Sequence, residues 1–215
     1  MDKAVTKKWV DDARVGLNVY ILYDRSGSMG SKQDEAVSAI NAYARALDPD
    51  TVVTVVAFDG AELFQVVRDH VPAADFKCIV VDEVVARGMT PLYDAVGRLA
   101  DRINYDAPKR AVVVIQTDGE ENASRRVTQA EARQRLDSLR QRKYEVVFLG
   151  SDFKDVYKQA RGLGGDAGKT LYRAAGNYVA SAQSLARHTQ AYGTTGQSIV
   201  MTAEEKAKLG DSGEV

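Results

Sequence analysis

Asp24, Ser26 and Ser28 occupy alternate positions in "YDRSGSMG", directly behind an apolar run. Thr90 follows "RGM", and Asp118 closes the run "VVVIQTD" just before Gly119. Together these are carboxylates and hydroxyls, with no histidine or cysteine beside them. A hard divalent cation takes oxygen ligands in near-octahedral geometry, directly or through water. This donor set suits such an ion and leaves it open at one position, where an acidic group of another molecule can bind. Gly27 allows the tight turn between the serines, and Gly119 allows the chain to turn sharply after Asp118. Taken singly, each motif has a plainer reading. Asp24 and the serines can close an Asx or Ser turn at a strand end, and Asp118-Gly119 can be an ordinary loop.

Such a site needs its segments carried to one place. "LNVYILY" (Leu17 to Tyr23) reads as a buried strand, rich in β-branched and aromatic residues. A helix follows, with Val37, Ile40, Ala44 and Leu47 as its apolar stripe, and Pro49 breaks it. "TVVTVVAFD" and "ELFQVVRD" read as hairpin-joined strands. "TPLYDAVGRLADRINY" reads as a helix with Thr90 as N-cap and Pro91 in its first turn. "KRAVVVIQTD" is the clearest strand of all. A helix with Thr128 and Glu131 spaced as a capping box comes next, then a strand over Tyr144 to Asp152. "FKDVYKQARGLGG" reads as a helix stopped by glycine, "KTLYRA" as an edge strand, and Gly176 to Tyr192 as a last helix. This alternation predicts an α/β fold: a doubly wound, mostly parallel sheet with helices on both faces and one antiparallel edge strand. In such sheets ligands bind outside the carboxyl ends of the strands, and all three polar clusters fall there.

The chain of 215 residues has 29 basic and 30 acidic side chains, a net charge of −1. That balance gives no field for nucleic acid. The arginines from Arg125 to Arg142 are interleaved with acids and read as a solvated helix face. No apolar run is long enough to span a bilayer, and the N-terminus lacks a signal-peptide core, so a cytoplasmic location is expected. The lone Cys78, in "FKCIVV", reads as a small core residue. Arg25 reads as a surface arginine, Glu120, Glu121 and Asn122 as a solvated loop rimming the site, and His70 and His188 as structural or surface residues. "GLGGDAGKT" imitates a phosphate loop, but counting back from Gly168-Lys169-Thr170 the first glycine should stand where Leu163 is. It also follows a helix instead of a strand, so both nucleotide motifs are false matches.

The three clusters occur in the order found in von Willebrand factor A domains. "DRSGSM" resembles the Asp-x-Ser-x-Ser element of the metal-ion-dependent adhesion site, "GMTPLYDA" the segment carrying the family's threonine, and "VVVIQTDGEEN" its strand followed by Thr-Asp-Gly. The resemblance spans roughly residues 15 to 152. It implies a Rossmann-like A domain over residues 15–192, with an N-terminal extension at 1–14 and a C-terminal tail at 193–215. It implies Ser26, Ser28 and Thr90 as hydroxyl ligands, and Asp24 and Asp118 as acids acting often through water. The ion implied is magnesium, with manganese or calcium as alternatives. The end of the chain also resembles small standalone A-domain proteins of bacteria and tailed phages.

The function expected is a metal-dependent protein-binding module, not an enzyme. Its partner would be a protein presenting an Asp or Glu carboxylate, such as an AAA-type ATPase or an assembly factor, with no nucleic acid and no membrane. Two other readings stand beside it. One is a haloacid-dehalogenase-like phosphatase, although Ser26 stands where that class places its general acid. The other is a virion or assembly protein whose metal loop stiffens the fold. Because the motif reads as a surface loop, removing the Asp24 carboxylate is expected to leave the fold intact.

Overall fold

The computed structural model describes residues 16–118, 120–151, 156–173 and 177–211. The expected extension at 1–14, Gly119, Asp152 and Gly176 lie outside them. Six strands form one sheet: β1 (Leu17–Asp24), β2 (Val52–Phe58), β3 (Gln65–Pro72), β4 (Arg110–Thr117), β5 (Glu145–Ser151) and β6 (Thr170–Arg173). Their order is β3-β2-β1-β4-β5-β6. β3 runs antiparallel to β2 at one edge, and every other pairing is parallel. The helices are α1 (Gln33–Arg45), α2 (Leu92–Asp106), α3 (Gln129–Gln141), α4 (Val156–Gly162), α5 (Tyr178–Thr195) and α6 (Ala203–Lys208).

The strands alternate faces with period two, so each side of the sheet has its own core. Val19, Ile21, Val53, Val55, Val112, Val114 and Val147 pack on one side against Val37, Ile40 and Tyr43 of α1 and Leu185 of α5. Tyr20, Leu22, Val113, Ile115 and Phe148 pack on the other against Leu92, Val96 and Leu99 of α2 and Leu136 of α3. Burial on both faces explains why β1 and β4 read as continuous apolar runs. It also gives the doubly wound sheet that the alternation predicts.

Helix boundaries follow local chemistry. At α3, Thr128 Oγ1 accepts the Glu131 amide at 3.3 Å, and Glu131 Oε2 accepts the Thr128 amide at 2.8 Å, as the capping-box spacing predicts. Thr128→Ala is expected to cost about 1 kcal/mol, read as a lowered urea midpoint at unchanged slope. At α2, however, Pro91 takes the N-cap position, not Thr90. Thr90 is drawn off by Asn122, as described below.

The segment after Gly193 holds more order than its polar composition suggests. Ile199 and Met201 are buried, and α6 carries its own capping box from Thr202 to Glu205. Lys206 donates to the Thr170 carbonyl at 2.7 Å and to Tyr157 Oη at 3.2 Å, while Tyr157 donates to Asp211 at 2.7 Å. A buried ammonium satisfied by carbonyl and hydroxyl oxygens ties α6 to the β6 edge.

Cys78 is exposed, which overturns the core reading. The chain around it forms no strand, and Ile79 takes the buried position instead. The phosphate-loop imitation stays a false match. It follows α4, Asp166 accepts its Gly168 amide at 2.6 Å, and Lys169 pairs with Glu145 at 2.6 Å.

Candidate metal centre

The site is built where β1 and β4, neighbours in the sheet, both end. Asp24 is the last residue of β1 and is wholly buried. Its Oδ2 accepts the Thr117 hydroxyl at 2.6 Å, and its Oδ1 accepts the Ser26 amide at 2.8 Å. Ser26 Oγ lies 3.1 Å from Ser28 Oγ, and Ser28 Oγ donates to Asp118 Oδ1 at 2.8 Å. Four of the five expected ligands are therefore joined in one hydrogen-bonded chain, although up to 94 positions separate them in sequence. Ser26 and Asp118 are buried, whereas Ser28 is exposed, so the cluster opens to solvent on the Ser28 side.

Thr90, the fifth, lies in a loop whose backbone meets that of the serine loop two residues earlier. The Gly27 amide donates to the Gly88 carbonyl at 3.0 Å, two residues before Thr90. A Cβ on Gly27 would stand 3.3 Å from that carbonyl. Gly27 thus serves a close approach of two loops as well as a turn. Asn122 then grips Thr90 from the third loop: its Oδ1 accepts the Thr90 amide at 2.8 Å, and its own amide donates to the Thr90 carbonyl at 3.1 Å. The buried Thr90 hydroxyl lies outside the hydrogen-bonded chain of the other four.

Several residues whose types suggest mere surroundings prove to be the frame. Arg25 is buried. Its Nε donates to Asp59 at 2.6 Å, and its guanidinium also reaches Gln65 and Glu62. Asp59 accepts Arg87 as well, at 3.1 Å, and the Arg87 amide donates to the Arg25 carbonyl at 2.8 Å. This clasp holds the loop that leads into Thr90. The surface reading of Arg25 fails because its partners sit 34 or more positions away. In the loop after Asp118, Glu121 accepts the amides of Ala123, Ser124 and Tyr93, and Asp94 accepts those of Arg125, Arg126 and Val127. Glu121 and Asn122 are therefore organisers of the loop. The one local sign is their place within three residues of Gly119 in the sequence.

Burial pushes the Asp24 carboxyl up to about 6, against the opposing hydrogen bonds from Thr117 and Ser26, and the Asp118 charge adds to the rise. Its burial also corrects the surface-loop expectation. Asp24→Ala would leave the Thr117 hydroxyl and the Ser26 amide without their acceptor, and so would cost stability.

The donors at this cluster are all oxygen. The histidines lie elsewhere: His70 sits between Asp69 and Asp106, and His188 pairs with Glu205. Among the described residues no group of three or more His, Cys, Asp or Glu is arranged to hold a metal. Hydroxyls with a pair of carboxylates fit a hard divalent cation, which Ser26, Ser28, Thr90, Asp24 and Asp118 would hold.

No protein-family model matches the sequence, and no curated protein matches it. Among solved structures, a von Willebrand factor type A protein from Catenulispora acidiphila superposes with a TM-score of 0.63 at 21% identity, over 81% of this chain and 42% of that one. The chain therefore has the von Willebrand factor A fold. The von Willebrand factor domain of the type V pili tip protein Mfa5 from Porphyromonas gingivalis superposes at 0.64 with 11% identity, over 80% of this chain and 94% of that domain. Proximal thread matrix protein 1 from the mussel byssus superposes at 0.56 with 13% identity, over 84% and 48%, in a structure with a zinc-occupied adhesion-site motif. This chain spans less than half of the Catenulispora and mussel chains. No helix among the described residues is long and apolar enough to cross a membrane.

Proposed function

We propose that this protein is a metal-dependent interaction module. A divalent cation held by Asp24, Ser26, Ser28, Thr90 and Asp118 would supply an unfilled coordination position to an Asp or Glu side chain of a partner protein. Magnesium suits the oxygen donors, with manganese or calcium as alternatives. The observation that carries this reading is the chain of hydrogen bonds from Asp24 through Ser26 and Ser28 to Asp118. Residues from separate loops meet in it, and their side chains offer oxygen atoms and nothing else. Support also comes from the fold, which this chain shares with a mussel protein whose adhesion-site motif holds zinc.

A binding role is favoured over a phosphatase by the state of Asp24. Its carboxylate is wholly buried and accepts from both Thr117 and Ser26, an arrangement for holding more than for nucleophilic attack. The partner class that fits is a cytoplasmic ATPase or assembly factor with an exposed acidic side chain.

The test is a manganese titration read by the electron paramagnetic resonance of free Mn2+, followed by affinity capture in magnesium or EDTA. Wild type is expected to bind one ion and to retain its partner only in magnesium. Ser26→Ala combined with Ser28→Ala is expected to lose both. Equal retention in EDTA would place the binding surface elsewhere. Release of phosphate from an aryl phosphate with magnesium would move the protein to the hydrolases.

A further inference from the structure

Lys32 stands at the N-terminal cap of α1, ahead of Gln33. A cation there faces the positive end of the helix dipole, which disfavours it. What it gains is Asp118. Lys32 Nζ lies 3.1 Å from Asp118 Oδ2, while Asp118 Oδ1 accepts Ser28 at 2.8 Å. The Asp118 side chain is 1% exposed and that of Lys32 24%, so the pair is well shielded from solvent and weakly screened by salt. Asp118 thus holds an ammonium through one oxygen and a hydroxyl of the candidate centre through the other.

Most of the neighbouring charges are matched among themselves, Asp34 at the start of α1 being an exception among the described residues. Arg25 and Arg87 are met by Asp59 and Glu62. Glu120 is met by Lys158 at 3.5 Å. Glu121 and Asp94 turn their carboxylates into the amides of the loop after Asp118. Among the described residues, Asp24, Asp118 and Lys32 are the charged side chains bonded into the centre itself. The three sum to −1 with both carboxyls ionised, and a divalent cation brings them to +1. An incoming carboxylate then returns the site to neutrality. Without Lys32 the loaded centre would already be neutral and would exert no net pull on an anion.

We propose that Lys32 sets what the centre binds: its ammonium competes with the divalent cation for Asp118, and it gives the loaded centre the positive charge that draws a carboxylate. This deepens the metal-dependent reading above and rests on it. Lys32 acts here as a tethered counter-ion that weakens cation affinity and strengthens anion affinity. Loss of that charge should reverse both effects.

The experiment compares wild type, Lys32→Met and Lys32→Arg, with Mn2+ and acetate as probes. Free Mn2+ is read by its paramagnetic resonance. Acetate binding is read as the fall in water-proton relaxivity of the Mn2+-loaded protein. Lys32→Met is expected to bind Mn2+ about tenfold more tightly, and to need about tenfold more acetate for the same fall in relaxivity. Lys32→Arg keeps the charge and is expected to follow wild type in both. In EDTA, Lys32→Met is expected to melt below Lys32→Arg, since the buried Asp118 carboxylate loses its counter-charge.

If wild type binds Mn2+ and Lys32→Met binds it equally or more weakly, the competing role is overturned and the metal site stands. If Mn2+ affinity rises while acetate affinity is unchanged, the carboxylate-drawing role is overturned. A wild-type protein that binds no Mn2+ at millimolar concentration overturns the metal-dependent reading and this proposal with it.

Discussion

At pH 7, Asp24→Asn is expected to abolish divalent-cation binding and, in the same molecule, to raise the stability of the cation-free protein. The reason is the cost of charging a buried carboxylate. Asp24 is wholly buried, and its carboxyl is raised from an ordinary 3.8 to about 6, burial being the largest cause. Between those values the folded protein holds a proton that the unfolded chain has lost, so stability falls as pH rises through that window. Below about pH 4 both states are protonated and the penalty vanishes. Above about pH 6 it is complete, at up to about 3 kcal/mol, since each pH unit between the two values contributes about 1.4 kcal/mol.

Asparagine keeps the shape and one acceptor oxygen for the Ser26 amide, and removes the charge. In EDTA, the gap in urea midpoint between Asp24→Asn and wild type should therefore be wide at pH 7 and close by about pH 4. The same substitution takes away an acid on which the proposed cation binding depends, so Mn2+ affinity should drop at least about a hundredfold. A variant less stable than wild type at pH 7 would show that the bonds from Thr117 and Ser26 outweigh burial. This protein would then keep the carboxylate for its structure and not for a cation.

Asp59→Ala is expected to be the most destabilising single change near the site, at about 3–5 kcal/mol, because it strands the buried Arg25 guanidinium. Arg25 and Asp59 have side chains 3% and 0% exposed, and Asp59 also accepts the amides of Ala61 and Glu62. Burial acts to raise the Asp59 carboxyl, but the amides of Glu62 and Ala61 and the guanidiniums of Arg87 and Arg25 outweigh it and hold it below the usual range. Removing it releases Arg87 from this carboxylate as well, and with Arg87 the loop that carries Gly88 and Thr90. Cation affinity should fall along with the melting temperature. Glu62→Ala is the control: its side chain is 49% exposed, and its pairs with Arg25 and Arg87 are worth about 1 kcal/mol or less. Equal unfolding midpoints for the two variants would mean that the clasp contributes nothing to the site.

The fold is legible in the sequence because its determinants are local. β1 and β4 are apolar runs, α1 and α2 carry stripes at helical spacing, and Thr128 with Glu131 spells out a cap within four residues. Each of these signals is contained in a short window, and the alternation of strand and helix then restricts the sheet to few arrangements. The five candidate ligands are legible too, as oxygen-bearing residues at strand ends and a helix start.

What holds those residues in place is not legible. Residue type alone puts Arg25 at the surface and the small thiol of Cys78 in the core, and it gives the exposed Asn122 no hint of its hold on Thr90. Each of these placements depends on a partner far away in sequence. Asp59 lies 34 positions from Arg25, Thr90 lies 32 from Asn122, and the core position expected for Cys78 belongs to Ile79. By itself the sequence determined which oxygen-bearing side chains stand at the strand ends, through residue type and period. Only the tertiary structure decided which charges are cancelled, which are buried and which loop grips which. Electrostatic and hydrogen-bond energies depend on distance and solvent exposure, and neither exists until the chain has closed on itself.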